Sequence, residues 1–432
     1  MTFSRFRAPC AFAFLLAATA LAAAPAAAQD SVVVRLRAQY ETARSPGFVV
    51  LPVAGGAGAE ISAILRGDLE RSDRFEMAEA TGARAGQALD LDAWSQRGAT
   101  WVLEGALTGS SLRLTLHDAA YGTVKGQGTF TLPASGSRAF RLAVHAASDA
   151  VVRWATGEPG MAASRIAFVT QGRGSKEIYV VDSDGENVTR ITNDGSISLS
   201  PSWSPDGGRI AYTSFRGGAP LLYERNLGTG ADRVLSDRAG INITPSYAPD
   251  GRTVAFATTV GGHTEIATIG AEGLRQQTRG RGYENLSPTW SPDGRRFAFV
   301  SDRLGEPQIY VMSPGGGEPR LVSSYAYGGR GYSTSPDWSP AGPAIAYHTR
   351  VNGRMQIAAV SADGGTPRML TDRGHNEDPS WAPDGRHIVF ASDRDGGGLF
   401  VLDSVTGTIR PLLRGRGFGL PDWSPTLQRA GQ

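Results

Sequence analysis

Few residues in this chain have the types and spacing that chemistry needs. The six histidines, His117, His145, His263, His348, His375 and His387, never recur at the short interval that points two imidazoles at one metal ion. No H-E-x-x-H helix signature occurs, and no G-x-S-x-G strand-to-helix turn that would expose a serine nucleophile. The single cysteine, Cys10, rules out an internal disulfide. The run VDSDGEN, residues 181–187, has the early acids of a calcium loop without the later acidic ligand, and a hairpin turn explains it better. The repeated Ser-Asp-Arg at Asp302-Arg303 and Asp393-Arg394 reads as a turn-stabilising pair, not a catalytic dyad. No catalytic residue, bound metal or cofactor is therefore expected, and the chain reads as non-enzymatic.

The elements that carry these residues fall into distinct regions. Residues 1–28 hold Arg5 and Arg7, a short apolar run and Ala26-Ala27-Ala28, the pattern of a cleaved secretory signal, so export to the periplasm is expected. Cys10 leaves with that segment. So do two arginines, which brings the 43 basic residues level with the 41 acidic ones. A balanced chain has no global field to gather nucleic acid or an anionic membrane surface. No later stretch is long and apolar enough to span a bilayer.

From residue 29 to 157 strand and helix patterns alternate. GFVVLPV (47–53) reads as a buried strand, and Ile61, Ile64, Leu65 and Leu69 repeat at helical spacing. A short helix ends near Gly98, three strands follow, and SRAFRLAVHAASDAVVRWATG (137–157) is an amphipathic helix. This predicts a small α/β domain. Residues 158–164 have the glycine, proline and small residues of a linker.

From residue 165 to 432 the helical period disappears. A Pro-x-Trp motif, or its Tyr variant, recurs with prolines at 201, 245, 288, 336, 379 and 421. A period in the low forties matches one four-stranded propeller blade. Second strands begin at Ile166, Ile210, Val254, Phe297, Ile345 and Ile388. No Trp segment precedes Ile166 and no further strand follows Trp423. The economical arrangement is an all-β ring of six blades, closed by pairing the last Trp strand with the one at Ile166, which removes an open sheet edge. The repeated Trp side chains, with Tyr247 as substitute, are expected to pack between blades.

The irregular loops joining one blade to the next gather on a single face. There lie Asn242, Asn285, His375, Asn376 and Glu377, and the longest loop adds Tyr325, Tyr327, Arg330 and Tyr332. Tyrosine and arginine on such loops are common interface anchors. The asparagines fit turn caps equally well. Aspartates converging in the channel leave room for a cation, though no motif points to one.

The six PSWSPDG-type repeats, the segment VHAASDAVVRWATGEPGMAASRIAFV (144–169), GFVVLPV and the terminal PDWSP together resemble the TolB family, the periplasmic propellers of the Tol-Pal envelope system. The resemblance covers essentially the whole chain and implies a protein-interaction role, with the chain acting as a monomer. It implies that the propeller face binds the peptidoglycan-associated lipoprotein Pal, through the loop residues named above. It implies too that a strand-forming N-terminus engages the inner-membrane protein TolA. Here that segment would be DSVVVRL, with Ser31, Val32, Val33, Val34, Arg35 and Leu36 as contacts able to add to a sheet edge. Outer-membrane integrity and constriction at division would follow. The rival reading is a periplasmic propeller hydrolase or glycan-binding protein.

Overall fold

A computed structural model describes residues 45–280, 282–323 and 331–427. The signal segment, the strand-forming residues 31–36, Tyr325, Tyr327 and Arg330 lie outside the described residues.

The first part is one five-stranded sheet with helices. In chain order it contains β1 (Gly47–Val50), α1 (Gly58–Arg71), β2 (Glu76–Ala78), α2 (Leu91–Gln96), β3 (Ala99–Thr108), β4 (Ser111–Asp118), β5 (Thr123–Thr131) and α3 (Arg138–Thr156). The sheet order is β2-β1-β3-β4-β5, with β1 parallel to both neighbours and β3 to β5 an antiparallel meander. Ile61, Leu65 and Leu69 of α1 and Phe140, Val144, Ala147 and Val151 of α3 meet Phe48, Leu112, Leu114 and Leu116 in one core. Alternate strand residues face the helices because side chains in a strand alternate between faces. Ser137 caps α3 by accepting the Phe140 amide at 3.1 Å, and Gly157 ends it at φ 82°. The short β2 escapes a reading by periodicity, because Glu76–Ala78 is too brief to alternate.

The rest is a ring of six four-stranded antiparallel sheets. The Pro-x-Trp segments are the first strands of the blades: Ser198–Trp203 (blade 2), Asn242–Tyr247 (blade 3), Asn285–Trp290 (blade 4), Ser333–Trp338 (blade 5), Asn376–Trp381 (blade 6) and Phe418–Trp423 (blade 1). Blade 1 is completed across the termini of the propeller: Phe418–Trp423 pairs with Arg165–Gln171, Trp423 opposite Ile166. Each repeat Trp packs back onto the preceding blade. Trp203 meets Ala167 and Val180, Trp381 meets Ala346 and Ile357, and Trp423 meets Ala382, Val389 and Val401.

Residues 158–164 have the composition of a loose connection, yet they are packed. Met161, Ala162, Ala163 and Ser164 are buried. Asp149 of α3 accepts the Ala162 and Ala163 amides at 2.8 and 2.9 Å, and Ser164 Oγ accepts Trp423 Nε1 at 2.7 Å. The connection is thus fastened to α3 on one side and to the closing strand on the other.

Candidate interaction face

Strand direction alternates within a blade, so first-to-second and third-to-fourth turns emerge on one side of the ring. Second-to-third loops and the loops between blades emerge on the other. The α/β domain is fixed to the turn side, over blades 1 and 6. Arg138 Nη2 donates to Asn187 O at 2.6 Å, Arg386 Nη2 to Asp73 O at 2.8 Å, and Arg410 Nη2 to Arg71 O at 2.7 Å. Among the described residues, that domain leaves the loop side and the channel mouth uncovered.

The channel wall is built by a repeated local device. The residue before each repeat proline has a left-handed backbone: φ is 49° at Ser200, 50° at Thr244 and Ser287, 51° at Ser335, 53° at Asp378 and 49° at Leu420. A non-glycine residue in this region costs roughly 1–2 kcal/mol, so the surroundings must over-determine it. They do so by bonds between blades. Ser287 N donates to Thr244 Oγ1 at 3.2 Å, Ser335 Oγ to Asp378 Oδ1 at 2.9 Å, and Leu420 N to Asp378 Oδ2 at 3.2 Å. A second layer uses the polar residue between Pro and Trp. Trp203 N donates to Asp422 Oδ2 (2.7 Å), Trp338 N to Thr289 Oγ1 (3.2 Å), Trp381 N to Asp337 Oδ2 (2.7 Å) and Trp423 N to Ser380 Oγ (3.0 Å).

Two members of this layer carry carboxyls. Burial drives Asp337 up to about 6, against the pull of the Trp381 amide, and burial together with Asp337 holds Asp422 well above the carboxylate range. Such groups carry protons at mildly acidic pH rather than full charge. Among the described residues, the cluster with metal-ligand spacing is elsewhere: Asp73, His387 and Asp403 lie within 4.8 Å of one another between the domains. Their charge is met by guanidinium groups, since Arg386 grips Asp403 at 2.9 and 2.6 Å and Arg410 bonds Asp73.

The loop residues separate into two sets. Asn242, Asn285 and Asn376 are fully buried at the first position of their strands and cannot touch a partner as they stand. Asn242 Nδ2 donates to Arg238 O at 2.8 Å, and Asn376 Nδ2 to Arg373 O at 2.8 Å, so both hold the incoming loop. Asn285 Nδ2 donates to Glu265 at 2.9 Å. The Ser-Asp-Arg segments complete this brace. Arg303 Nη2 reaches Asn285 Oδ1 at 3.2 Å and Arg394 Nη2 reaches Asn376 Oδ1 at 2.9 Å. Asp302 and Asp393 each accept a loop amide at 2.7 Å. Sequence singled out the Ser-Asp-Arg segments but not that each arginine holds an asparagine.

His375, Glu377 and Tyr332 form the second set. The side chains of His375 and Glu377 are 40% and 43% exposed, with Nε2 and Oε1 3.2 Å apart. Tyr332 is half-buried under Arg350, whose guanidinium carbon lies 4.3 Å from the ring centre. Deeper in the mouth, His348 Nδ1 accepts the Asp378 amide at 3.0 Å. Burial lowers its pKa despite the nearby acids, which keeps it neutral. His348 and Asp378 were not singled out by sequence; for Asp378 the signal available was the polar residue before five of the six repeat prolines. On the turn side, where Tyr247 stands in place of Trp, a cleft of about 790 Å³ opens between blades 2 and 3, lined by Arg209, Glu224, Arg233 and Arg252.

The family model for the TolB beta propeller domain matches residues 152–427. The Tol-Pal system protein TolB of Bordetella pertussis is 36% identical over 408 residues, 92% of this chain and 91% of that protein. The chain belongs to the TolB family. A TolB relative from Polaromonas sp. JS666 is 34% identical over 208 residues. That match takes in 45% of this chain and about half the relative's length, 48%. The crystal structure of TolB from Acinetobacter baumannii superposes with a TM-score of 0.78 at 27% identity, over 89% of this chain and 97% of that one. A chain of Kuenenia stuttgartiensis hydrazine synthase, at 17% identity and a TM-score of 0.52 over 62% of this chain, shares the fold alone.

Proposed function

We propose that this chain is a non-enzymatic, periplasmic docking component of the Tol-Pal system. Its uncovered propeller face receives the lipoprotein Pal and its N-terminal segment, residues 30–36, is captured by TolA, so that the two together maintain the outer membrane and its constriction at division. The observation that carries this reading is the placement of the α/β domain on the turn side, so that among the described residues it leaves the loop side and channel mouth uncovered. Tyr332, His375 and Glu377 offer an aromatic, an imidazole and a carboxylate there, beside a channel stiffened by its rings of hydrogen bonds. A rigid rim with a few protruding anchors suits protein recognition better than catalysis. The histidines closest to carboxylates, His145 and His387, are buried between the domains and ion-paired, which supports a structural use for them.

The test is the affinity of the purified full chain for purified Pal. Replacing Tyr332, His375 and Glu377 together by Ala should weaken binding at least about tenfold, as loss of interface anchors does. Replacing Arg233 and Arg252 by Ala, on the opposite side, should leave it unchanged. Equal affinity in the first variant, or loss in the second, would remove the loop side as the docking face.

A further inference from the structure

Two buried histidines occupy the seam between the α/β domain and the propeller, and they are arranged reciprocally. His145 belongs to α3. Its Nδ1 lies 2.8 Å from Asp68 Oδ2 of its own domain, and its Nε2 lies 3.5 Å from Asp184 Oδ2 in the outer turn of blade 1. His387 belongs to blade 6. Its Nδ1 lies 2.7 Å from Asp384 Oδ2 of its own blade, and its Nε2 lies 3.1 Å from Asp73 Oδ2, just past the end of α1. Each ring therefore turns Nδ1 to a carboxylate of its own domain and Nε2 to a carboxylate of the other, the second contact being a hydrogen bond for His387 and an ion-pair approach without one for His145. A neutral imidazole has one N–H; only the imidazolium presents a proton to both sides.

The seam holds other charges. Around His145, Arg71 pairs with Asp68 at 2.8 Å and lies 4.0 Å from Asp184, to which Arg141 also bonds. Around His387, Arg74 lies 3.9 Å from Asp384, Arg386 is paired with Asp403, and Arg410 bonds Asp73. Burial alone would lower both imidazoles. For His145, Asp68 and Asp184 outweigh burial and Arg141. For His387, Asp384 and Asp73 outweigh burial and Arg410. Both rings are held above their ordinary 6.5.

We propose that the seam is a proton-operated latch, in which each imidazolium ties a carboxylate of the α/β domain to a carboxylate of the propeller and loss of the proton loosens the docking of the two domains. The sign follows from linkage. A group whose folded pKa is raised contributes fully below 6.5, and that contribution is lost as pH rises through the seam value. Asp149, which clamps the connection between the domains, is pushed by burial to about 7, so its contribution also fades as pH rises. Asp68 and Asp384, held low by their partners, lose theirs only below 3.8. Above 6.5 the two histidines lose their contribution as pH rises, and Asp149 loses the last of its own by about 7, so these three act in one direction. The arginine contacts persist, so the domains loosen rather than part. The latch stands independently of the Pal and TolA reading.

The experiment uses the full chain. Imidazole titration by NMR is combined with amide-exchange protection factors at pH 6, 7.5 and 9. Two of the six histidines should titrate above 6.5. Protection in residues 157–164, 182–187 and 384–387 should fall about tenfold for each unit by which the seam values exceed it, while the blade interiors stay protected. Asp184→Asn and Asp73→Asn remove the cross-domain carboxylate that each imidazolium faces, and with it the charge that Arg141 and Arg410 pair with. Each should lower the titration of its facing histidine and flatten the pH dependence of the seam. Histidines 145 and 387 titrating at or below 6.5, seam protection constant across the range, or protection lost equally throughout the propeller would overturn the latch. Should a variant fail to fold, the titration and exchange of the unmodified chain still decide between these outcomes.

Discussion

Asp337 shows how one residue serves the ring. Its Oδ2 accepts the Trp381 amide at 2.7 Å, a bond that either a carboxylate or a protonated acid can accept. Burial raises it from 3.8 to about 6, so its contribution to stability is greatest in acid and is lost as pH rises between those values. At about 1.4 kcal/mol per unit, the whole swing is on the order of 3 kcal/mol. Asp337→Asn keeps an acceptor for Trp381 without a charge to desolvate. Denaturant unfolding should find this variant close to the natural chain at pH 4 and more stable at pH 8. An unchanged difference between the two pH values would show that Asp337 does not bear the burial cost. The asparagines teach the converse. Asn242, Asn285 and Asn376 recur at equivalent loop positions, which suits a cap and a contact equally. Complete burial assigns them to the brace, with bonds to loop carbonyls at Asn242 and Asn376 and to the Glu265 carboxylate at Asn285, and that depends on neighbours tens of residues away.

At the scale of the element, the decisive piece is the closing strand. Phe418–Trp423 supplies the first strand of blade 1, and Trp423 fills the gap to blade 6 while donating to Ser164. Trp423→Ala removes a buried ring whose loss costs about 3–5 kcal/mol in cores, and it frees the connection between the domains at the same time. The expected result is a lower denaturation midpoint together with earlier proteolysis near residues 157–164. A drop in midpoint with that segment still protected would show that the clasp and the connection are uncoupled. The position of this strand was legible because its Pro-x-Trp motif and the missing first strand before Ile166 complement each other. The packing of residues 158–164 was not legible. Gly, Pro and Ala describe a flexible connection until a half-buried carboxylate, Asp149, takes up its amides.

For the whole molecule, the question is how the α/β domain and the ring communicate. The α/β domain grips blades 1 and 6 on the turn side, and the docking face proposed for Pal is on the other. The proposed function has the N-terminal segment and that face act together. Deleting residues 29–37 is therefore expected to abolish TolA capture and to shift Pal affinity, measured by calorimetry on the full chain and the truncated one. An identical Pal constant would sink the coupling while leaving the docking face intact.

Sequence alone determined the architecture. The blade period, the Asp-Gly turns, the split first blade and the helical spacing of Ile61, Leu65 and Leu69 are local patterns set by chain geometry and apolar burial, and each is readable where it stands. Tertiary structure alone decided which side of the ring is covered, that His145 and His387 face carboxylates of the opposite domain, and that desolvation raises Asp337 and Asp422. Those properties come from desolvation and from charges brought together by folding. No spacing along the chain encodes them.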